Sequence, residues 1–335
     1  MKSDFFAWYV QQYFLRYLKV QRGCLGNTTS SYSTTFSLFL RFLDIPKVDL
    51  IRLVDIDRKK VIGFLDWLHV KRGNSNSSSN VRLAHIKSFF HFVLMEEPAY
   101  ADLCASISRI PFKNVTKKPP QSLSKEMLSK ILAMPGTRTR KGLHDSAMLA
   151  LLYDSACRVQ ELIDIKIQDI HMERHCYVFV HGKGDKYRNI PLMDSTAKLL
   201  KTYITRFGLS DRDLLFESRT GGKLTRQGVS YILNKYVLAI MKENPSLVDP
   251  DVSISPHIMR HSKATHLVES GVHIFNVRDF LGHVSVSTTQ VYLTSNPEHS
   301  RKSLEQAAEK IGVKINSSYS KKETTALQKF LDSLA

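Results

Sequence analysis

Apolar side chains in the first third of the chain recur with the period of an α-helix. The segment 36–43 carries them at its first, fourth, fifth and eighth positions, and the segment 83–93 repeats a helical spacing. The stretch at 73–80 consists mostly of Asn and Ser, which is typical of a flexible loop. The pattern therefore predicts a small helical bundle over residues 1–113.

A basic stretch at 114–122 contains two prolines and shows no apolar periodicity, so it predicts a linker. Apolar residues from about Asp145 onward then predict a buried helix. Alternating apolar and polar residues at 176–180 and 187–191 predict two short strands, which a glycine-rich turn joins into a hairpin.

The remainder of the second domain is predicted to be helical. Thr225 is suited to cap a long helix, and two shorter helices at 262–269 and 274–281 are each followed by a glycine. The predicted fold class is thus mainly α with a small antiparallel β element (α+β), and the second domain occupies residues 123–304.

A tail at 305–335 ends in an apolar stripe. Its members share one helical face and follow a polar break at 316–320; they are Leu327, Phe330, Leu331 and Leu334. Such a stripe can pack on its own domain or on a neighbouring subunit, and the sequence leaves both open.

The net charge of +17 and the pI near 9.6 indicate a polyanionic partner, with nucleic acid as the leading candidate. No apolar run approaches the roughly 20 residues of a membrane-spanning helix. The segment 5–19 is interrupted by polar residues and predicts an amphipathic helix, not a signal peptide. The four cysteines lack any C-x-x-C pairing, which favours reduced thiols. We therefore expect a cytoplasmic, nucleoid-associated protein with no membrane partner.

Candidate chemistry is concentrated in two arginines, two histidines and a tyrosine. Arg158 and Arg260 can each fork two hydrogen bonds onto the non-bridging oxygens of a phosphate, and His283 can add a third donor. The phenol of Tyr292 is a nucleophile that could attack phosphorus. His257, one helical turn before Arg260, is placed to accept its proton. The arginines take the place of a metal, so the pattern calls for no cofactor.

These residues stand in the order of the tyrosine recombinase, or phage integrase, family, which the chain resembles over residues 123–304. The resembling motifs are Leu151-Leu152-Tyr153-Asp154-Ser155-Ala156-Cys157-Arg158-Val159-Gln160-Glu161-Leu162, Gly182-Lys183-Gly184-Asp185-Lys186-Tyr187-Arg188, His257-Ile258-Met259-Arg260-His261, Leu281-Gly282-His283 and Tyr292. One departure is Ala156-Cys157, where the family usually has Gly-Leu. It bears on local packing more than on chemistry.

The resemblance implies roles for three further residues. Lys183 is expected to protonate the departing 5′ oxygen. Glu161 and His261 are expected to support the catalytic set, with Glu161 orienting His257 or His261. The family also implies that the helical domain and the catalytic domain form a C-shaped clamp on DNA.

The function that follows is site-specific DNA recombination through a 3′-phosphotyrosyl intermediate. The expected partners are double-stranded DNA with inverted-repeat core sites and further copies of the chain, as a dimer on each site and a tetramer in synapsis. Integration or excision of a mobile element is the favoured task, and resolution of replicon dimers stays open.

Three other classes compete with this reading. A type IB-like topoisomerase or a hairpin resolvase would use the same chemistry, and a DNA-binding regulator could keep the fold without it. A metal-dependent nuclease would need a carboxylate cluster to hold two Mg²⁺ ions, and none stands out in the sequence.

Polar side chains on the predicted helices are candidate DNA contacts, although a solvated helix face is the alternative interpretation. The candidates are Ser31, Thr34, Thr35, Arg41, His85, Lys87, Arg226 and Ser230.

Overall fold

The computed structural model describes residues 4–24, 26–44, 51–116, 121–173, 175–182, 186–219, 221–247, 252 and 254–292. Lys183, part of the predicted linker and the predicted tail at 305–335 lie outside these residues. The chain divides into two compact units, Met1–Lys117 and Lys118–Ala335.

The first unit is helical within its described residues, as predicted. Its helices are α1 (Phe6–Gln12, continued as a π-helix over Tyr13–Gln21), α2 (Gly26–Leu43), α3 (Arg58–Arg72), α4 (Asn76–Glu96) and α5 (Ala101–Ser108). They enclose a core rich in aromatic rings, in which Phe6, Phe36 and Phe89 are buried and pack against one another. The hydroxyl of buried Tyr13 donates to Ser88 Oγ at 2.9 Å, which joins α4 to the π-helical segment.

The prediction of a loop across 73–80 is wrong from residue 76 onward. Helix α4 begins at Asn76, and Ser75 caps it by accepting a hydrogen bond from the Ser78 backbone. Asn80 exchanges two hydrogen bonds with the Lys113 backbone at 2.8 and 2.9 Å. This tertiary anchoring overrides the weak helix propensity of Asn and Ser.

Two candidate DNA contacts on α2 and α4 are buried instead. Thr35 is 0% exposed and its hydroxyl lies 2.7 Å from His85 Nδ1, while Arg82 donates to the same hydroxyl at 2.9 Å. The His85 ring stacks on Tyr32 with centroids 4.0 Å apart. Burial and these internal contacts argue against direct DNA contact by Thr35 and His85 in this conformation. Burial, reinforced by the charge of Arg82, lowers the pKa of His85 to about 4.

Acidification is expected to destabilise the protein through His85. The imidazole of His85 takes up a proton near pH 6.5 in the unfolded chain and near pH 4 in the folded chain. The contribution of His85 to the free energy of unfolding is therefore fully present above pH 6.5, and it falls by about 3 kcal/mol as the pH drops to 4. When urea unfolding is measured between pH 7 and 4, the free energy of unfolding of His85→Gln should fall less steeply with decreasing pH than that of the parent. His91→Gln, at an exposed position of α4, is the control. An unchanged pH slope in His85→Gln would contradict the expectation.

In the described part of the second unit, helices combine with a three-stranded antiparallel sheet, which confirms the predicted fold class. Its elements are α6 (Lys125–Ala133), α7 (Arg140–Asp154), α8 (Val159–Asp164), β1 (Ile170–His171), β2 (Tyr177–Gly182), β3 (Lys186–Pro191), α9 (Asp194–Phe207), α10 (Arg226–Glu243), α11 (Pro256–Glu269), α12 (Ile274–Leu281) and α13 (Ser287–Gln290). The predicted hairpin is β2–β3, with Val178 opposite Ile190. Thr225 caps α10 as predicted, by accepting from the Gly228 backbone.

Helix α11 begins at Pro256, six residues before the predicted start, and is tied to its surroundings by polar contacts. Lys263 donates to Asp154 at the end of α7 at 3.1 Å, and the other oxygen of Asp154 accepts from the Met193 backbone. The Leu123 backbone donates to Ser262 at 2.8 Å. These contacts fix the helix that carries two candidate catalytic residues, His257 and Arg260, and the supporting candidate His261.

All four cysteines are free. Cys104 and Cys157 are buried, and burial raises the pKa of each thiol to about 11; Cys24 and Cys176 are half-buried. Across the described ranges, the helices are all too short or too polar to cross a membrane.

Candidate functional site

Arg260 lies at the centre of the candidate site. Its side chain projects from α11, is 4% exposed, and donates to the carbonyls of Ala156 at 2.7 Å and Leu281 at 2.5 Å. Burial and the neighbouring charge of Arg158 lower its pKa to about 10, so it is still a cation at neutral pH. Arg260 thus joins the turn before Arg158 to the end of α12, and three of its five N–H groups remain for a further ligand.

The turn before Arg158 contains the departure from the family motif at Ala156. Ala156 has a φ of +46°, in the left-handed region that favours glycine, and its methyl group is buried beside Ala264 and Tyr292. The carbonyl of this strained residue is the one that accepts from Arg260.

Replacing Ala156 by glycine is expected to change the free energy of unfolding by less than about 1 kcal/mol. Relief of the left-handed strain, about 1 kcal/mol, is offset by loss of a buried methyl group, about 0.8 kcal/mol. Ala156→Val should instead cost about 2 kcal/mol or more, because a β-branched residue is disfavoured at positive φ and the site is closely packed. Urea denaturation of both variants tests this, and equal losses would contradict it.

Arg158 caps α8 and is anchored by Glu161. Its backbone N–H donates to Glu161 Oε2 and its Nη1 to Oε1, both at 2.8 Å, while its side chain remains 34% exposed. The ion pair expected of an arginine three residues before a glutamate is therefore present. It leaves the guanidinium at the surface.

Arg188 on β3 is a second partner of Glu161. It donates from Nη2 at 2.7 Å and from Nη1 at 3.3 Å, so both carboxylate oxygens of Glu161 are held by arginines. The expectation that Glu161 orients His257 or His261 is thus corrected, because its oxygens bond Arg158 and Arg188. Arg188 belongs to the hairpin motif at 182–188, and the motif alone indicates no role for it. The sequence places Arg188 on the same side of the strand as buried Ile190, but it does not show that this side faces Glu161.

Tyr292 is buried against α11. Its side chain is 3% exposed and its hydroxyl lies 2.6 Å from His261 Nδ1. Burial raises the pKa of the phenol, and the charge of Arg260 opposes that effect. The phenol is therefore protonated at neutral pH and must pass its proton to a base before it can react. His261 is the histidine bonded to it in this structure.

The other two histidines, His283 and His257, lie near the charges of Arg260 and Arg158. His283 Nδ1 lies 2.9 Å from Thr289 Oγ1, and burial together with Arg260 lowers the pKa of His283 to about 4. Burial and the charge of Arg260 likewise lower the pKa of His257, with smaller effects of Arg158 and Arg226. Both imidazoles are neutral at pH 7, so each can either accept a proton or donate one N–H.

The structure thus brings together the predicted residues that it describes in this part of the chain. These residues interact electrostatically with Arg260 or with one another. They are Arg158, Glu161, His257, His261, His283 and Tyr292. Lys183 is outside the described residues, between the ends of β2 and β3. In the described ranges, no group of His, Cys, Asp and Glu side chains could hold a metal ion.

The remaining DNA-contact candidates differ in exposure. Thr34 and Arg41 on α2 are exposed, and Ser31 is half-buried. Lys87 donates to the Ser108 carbonyl at 2.8 Å and lies over the Phe112 ring, so its ammonium is engaged within the first unit.

The two candidates on α10 lie at its first turns. Arg226 is exposed, donates to Gln160 at 2.8 Å and contributes to the electrostatic environment of His257. Ser230 bonds the Arg226 carbonyl. Of the whole set, Arg226 is the candidate linked to the residues around Arg260.

Comparison with known proteins identifies similar sequences and folds. A model of the phage integrase family matches residues 121–299, and one of the phage integrase N-terminal SAM-like domain matches residues 11–97. The tyrosine recombinase XerD of Listeria monocytogenes is 33% identical over 285 residues, which cover 83% of this chain and 91% of that protein.

Two further similarities agree with this. The tyrosine recombinase XerC of Roseiflexus castenholzii is 32% identical over 295 residues, covering 86% of this chain and 89% of that protein. The crystal structure of the XerH site-specific recombinase bound to palindromic difH substrate has the same fold, with a TM-score of 0.64 and 22% identity over 84% of this chain and 80% of that one.

Proposed function

Because the chain belongs to the phage integrase family of tyrosine recombinases, we propose that it cuts DNA through a 3′-phosphotyrosyl link to Tyr292 and exchanges strands between two duplexes. The observation that carries the proposal is the grouping of a buried phenol, three histidines and two arginines around one another. A phenol needs such a group of cations and proton acceptors before it can attack a phosphodiester.

In the proposed reaction, the Tyr292 oxygen bonds to phosphorus as the bond from phosphorus to the 5′ oxygen breaks. Arg158 and Arg260 hold the non-bridging oxygens and stabilise the negative charge that builds on them, with His283 as a further donor. The phenol proton passes to His257, after release from the hydrogen bond to His261. Lys183 protonates the leaving 5′ oxygen. No metal takes part.

The reverse reaction completes the exchange. A phosphotyrosine has a leaving group with a pKa near 10, so a 5′ hydroxyl from a second duplex can displace it without an external energy source. We propose that the first unit, which matches the SAM-like domain model, contributes DNA contacts from Ser31, Thr34 and Arg41. The DNA partner is proposed to carry inverted-repeat core sites, bound by a dimer and synapsed by a tetramer.

The experiment uses a pool of duplexes that carry one nick at a fixed position between randomised inverted repeats. Cleavage beside the nick releases a short fragment, so religation is lost and the covalent adduct accumulates. We expect a denaturant-resistant adduct on the 5′-labelled strand, in the presence of EDTA, with the DNA attached to Tyr292 by peptide mapping. Absence of an adduct with every member of the pool, or its loss in EDTA, would overturn the proposal.

A type IB-like topoisomerase is the alternative that shares this chemistry. It would relax supercoiled plasmid of any sequence and would not join two duplexes. Sequencing the DNA recovered in the adduct, and then supplying two labelled copies of that site, separates the two functions. Integration or excision of a mobile element is the proposed task, and the genes adjoining this one would distinguish it from resolution of replicon dimers.

A further inference from the structure

Glu161 is a buried carboxylate shared by two arginines that differ in their surroundings. The Glu161 side chain is 5% exposed, that of Arg188 is 12% exposed and that of Arg158 is 34% exposed. Arg188 engages both carboxylate oxygens, whereas the Arg158 side chain reaches one oxygen through a single amino nitrogen. Although burial alone raises the pKa of Glu161, the two arginines outweigh it and hold the carboxyl ionised.

The position of Arg188 is fixed from two sides. It lies on β3, whose pairing with β2 sets its direction. On the other side it lies directly against Gly282, where a Cβ atom would come within 2.9 Å of Arg188 Nη1. Arg188 is therefore packed between α8 and the residue that precedes His283, and it is less exposed than Arg158.

The charges of the three groups determine what Arg158 can do. One carboxylate and two guanidiniums leave a net charge of +1, and the inner arginine satisfies both carboxylate oxygens. Without Arg188, the buried carboxylate would draw Arg158 into a two-bond pair with a net charge of zero, because such forked pairing is the favoured geometry of an arginine with a carboxylate.

We propose that Arg188 is a positioning residue that neutralises Glu161 and so leaves Arg158 with its charge and its second amino group directed at the scissile phosphate. This inference rests on the proposed function, because it requires Arg158 to hold the phosphate during attack by Tyr292. It assigns Arg188 no contact with the DNA.

The test compares Arg188→Met, Glu161→Gln and the double variant, using the rate of adduct formation on the nicked duplex recovered above. Arg188→Met is expected to slow the reaction about 100-fold, the order of loss of one charge-stabilising donor. Adding Glu161→Gln removes the carboxylate that Arg188 neutralised, so the double variant should react at least about ten times faster than Arg188→Met. A direct contact of Arg188 with phosphate gives no such rescue. A purely structural role is separated by a second substrate, because a structural defect is equal on both substrates.

A second measurement uses the same duplex with a methylphosphonate at the scissile position. This group lacks one charged oxygen, so it depends less on a cation, and the Arg188→Met defect should shrink to less than about tenfold. A matched control is Lys130→Met, which also removes one positive charge but from an exposed pair with Glu126. It should react like the parent on both substrates.

The outcomes separate this inference from the proposed function. If the parent forms no Tyr292 adduct on either substrate, the proposed function fails. If the parent reacts but the double variant is no faster than Arg188→Met, or the defect is equal on both substrates, the role of Arg188 is wrong. Circular dichroism verifies that each variant is folded. If Arg188→Met is not, Arg188→Lys replaces it; it keeps the neutralising charge and should react within about tenfold of the parent on both substrates.

Discussion

Replacing Tyr292 by phenylalanine is expected to abolish covalent capture of DNA. The variant lacks the oxygen that bonds to phosphorus, and the arginines that remain cannot supply a substitute nucleophile. Loss of a nucleophile typically lowers the rate by about 10⁴-fold or more, which puts the adduct below detection. The measurement is the denaturant-resistant adduct on the nicked duplex, followed over time by gel electrophoresis.

The Tyr292→Phe variant is expected to remain folded, so a missing adduct can be assigned to the missing hydroxyl. Tyr292→Phe also removes the hydrogen bond to His261, which should cost only about 1 kcal/mol of stability, so the variant remains folded and still binds the duplex. The control is Tyr231→Phe, at a position of α10 that is 68% exposed. An adduct that persists in Tyr292→Phe while the control behaves as the parent would show that another residue is the nucleophile.

Replacing Arg260 by lysine is expected to be the second most damaging change. Lysine keeps the positive charge but cannot donate in fixed directions to the Ala156 and Leu281 carbonyls and to a phosphate at the same time. We expect the rate of adduct formation to fall about 100- to 1000-fold and the free energy of unfolding to fall by about 2 kcal/mol. Cleavage kinetics and urea denaturation measure the two effects separately.

The control for Arg260 is a second arginine that also donates to two backbone carbonyls. Arg206 bonds the carbonyls of Thr137 and Arg138 but is exposed. Arg206→Lys should therefore leave stability within about 0.5 kcal/mol and cleavage unchanged. If folded Arg260→Lys protein reacts within threefold of the parent, the guanidinium does not hold the phosphate as proposed.

Helices and motifs with a strong local pattern were predictable from the sequence. The hairpin β2–β3, the cap of α10 at Thr225 and the glycine that ends α12 all follow from residue types at fixed offsets. The order of the arginine, histidine and tyrosine motifs likewise indicated one site, because their chemistry is complementary.

Features that depend on distant partners were not predictable in the same way. The first turn of α4 is rich in Asn and Ser, and its helical form depends on Asn80 and its contact with Lys113. A polar residue on a helix gives no local sign of whether it meets water or another helix, which is why the burial of Thr35 and His85 was not foreseen. The contact between Glu161 and Arg188 was not predictable for the same reason, because the two residues are 27 positions apart in sequence.

The four thiols divide evenly between the units and between two degrees of access. Each unit holds one buried cysteine, Cys104 or Cys157, with a pKa of about 11 that leaves almost no reactive thiolate, and one half-buried cysteine, Cys24 or Cys176. Cys24 and Cys176 are therefore the more accessible thiols, one on each unit, at which a fluorophore could be attached. A donor and acceptor pair coupled there can report changes in the separation of the units during a reaction cycle, without engineered cysteines near the reactive centre.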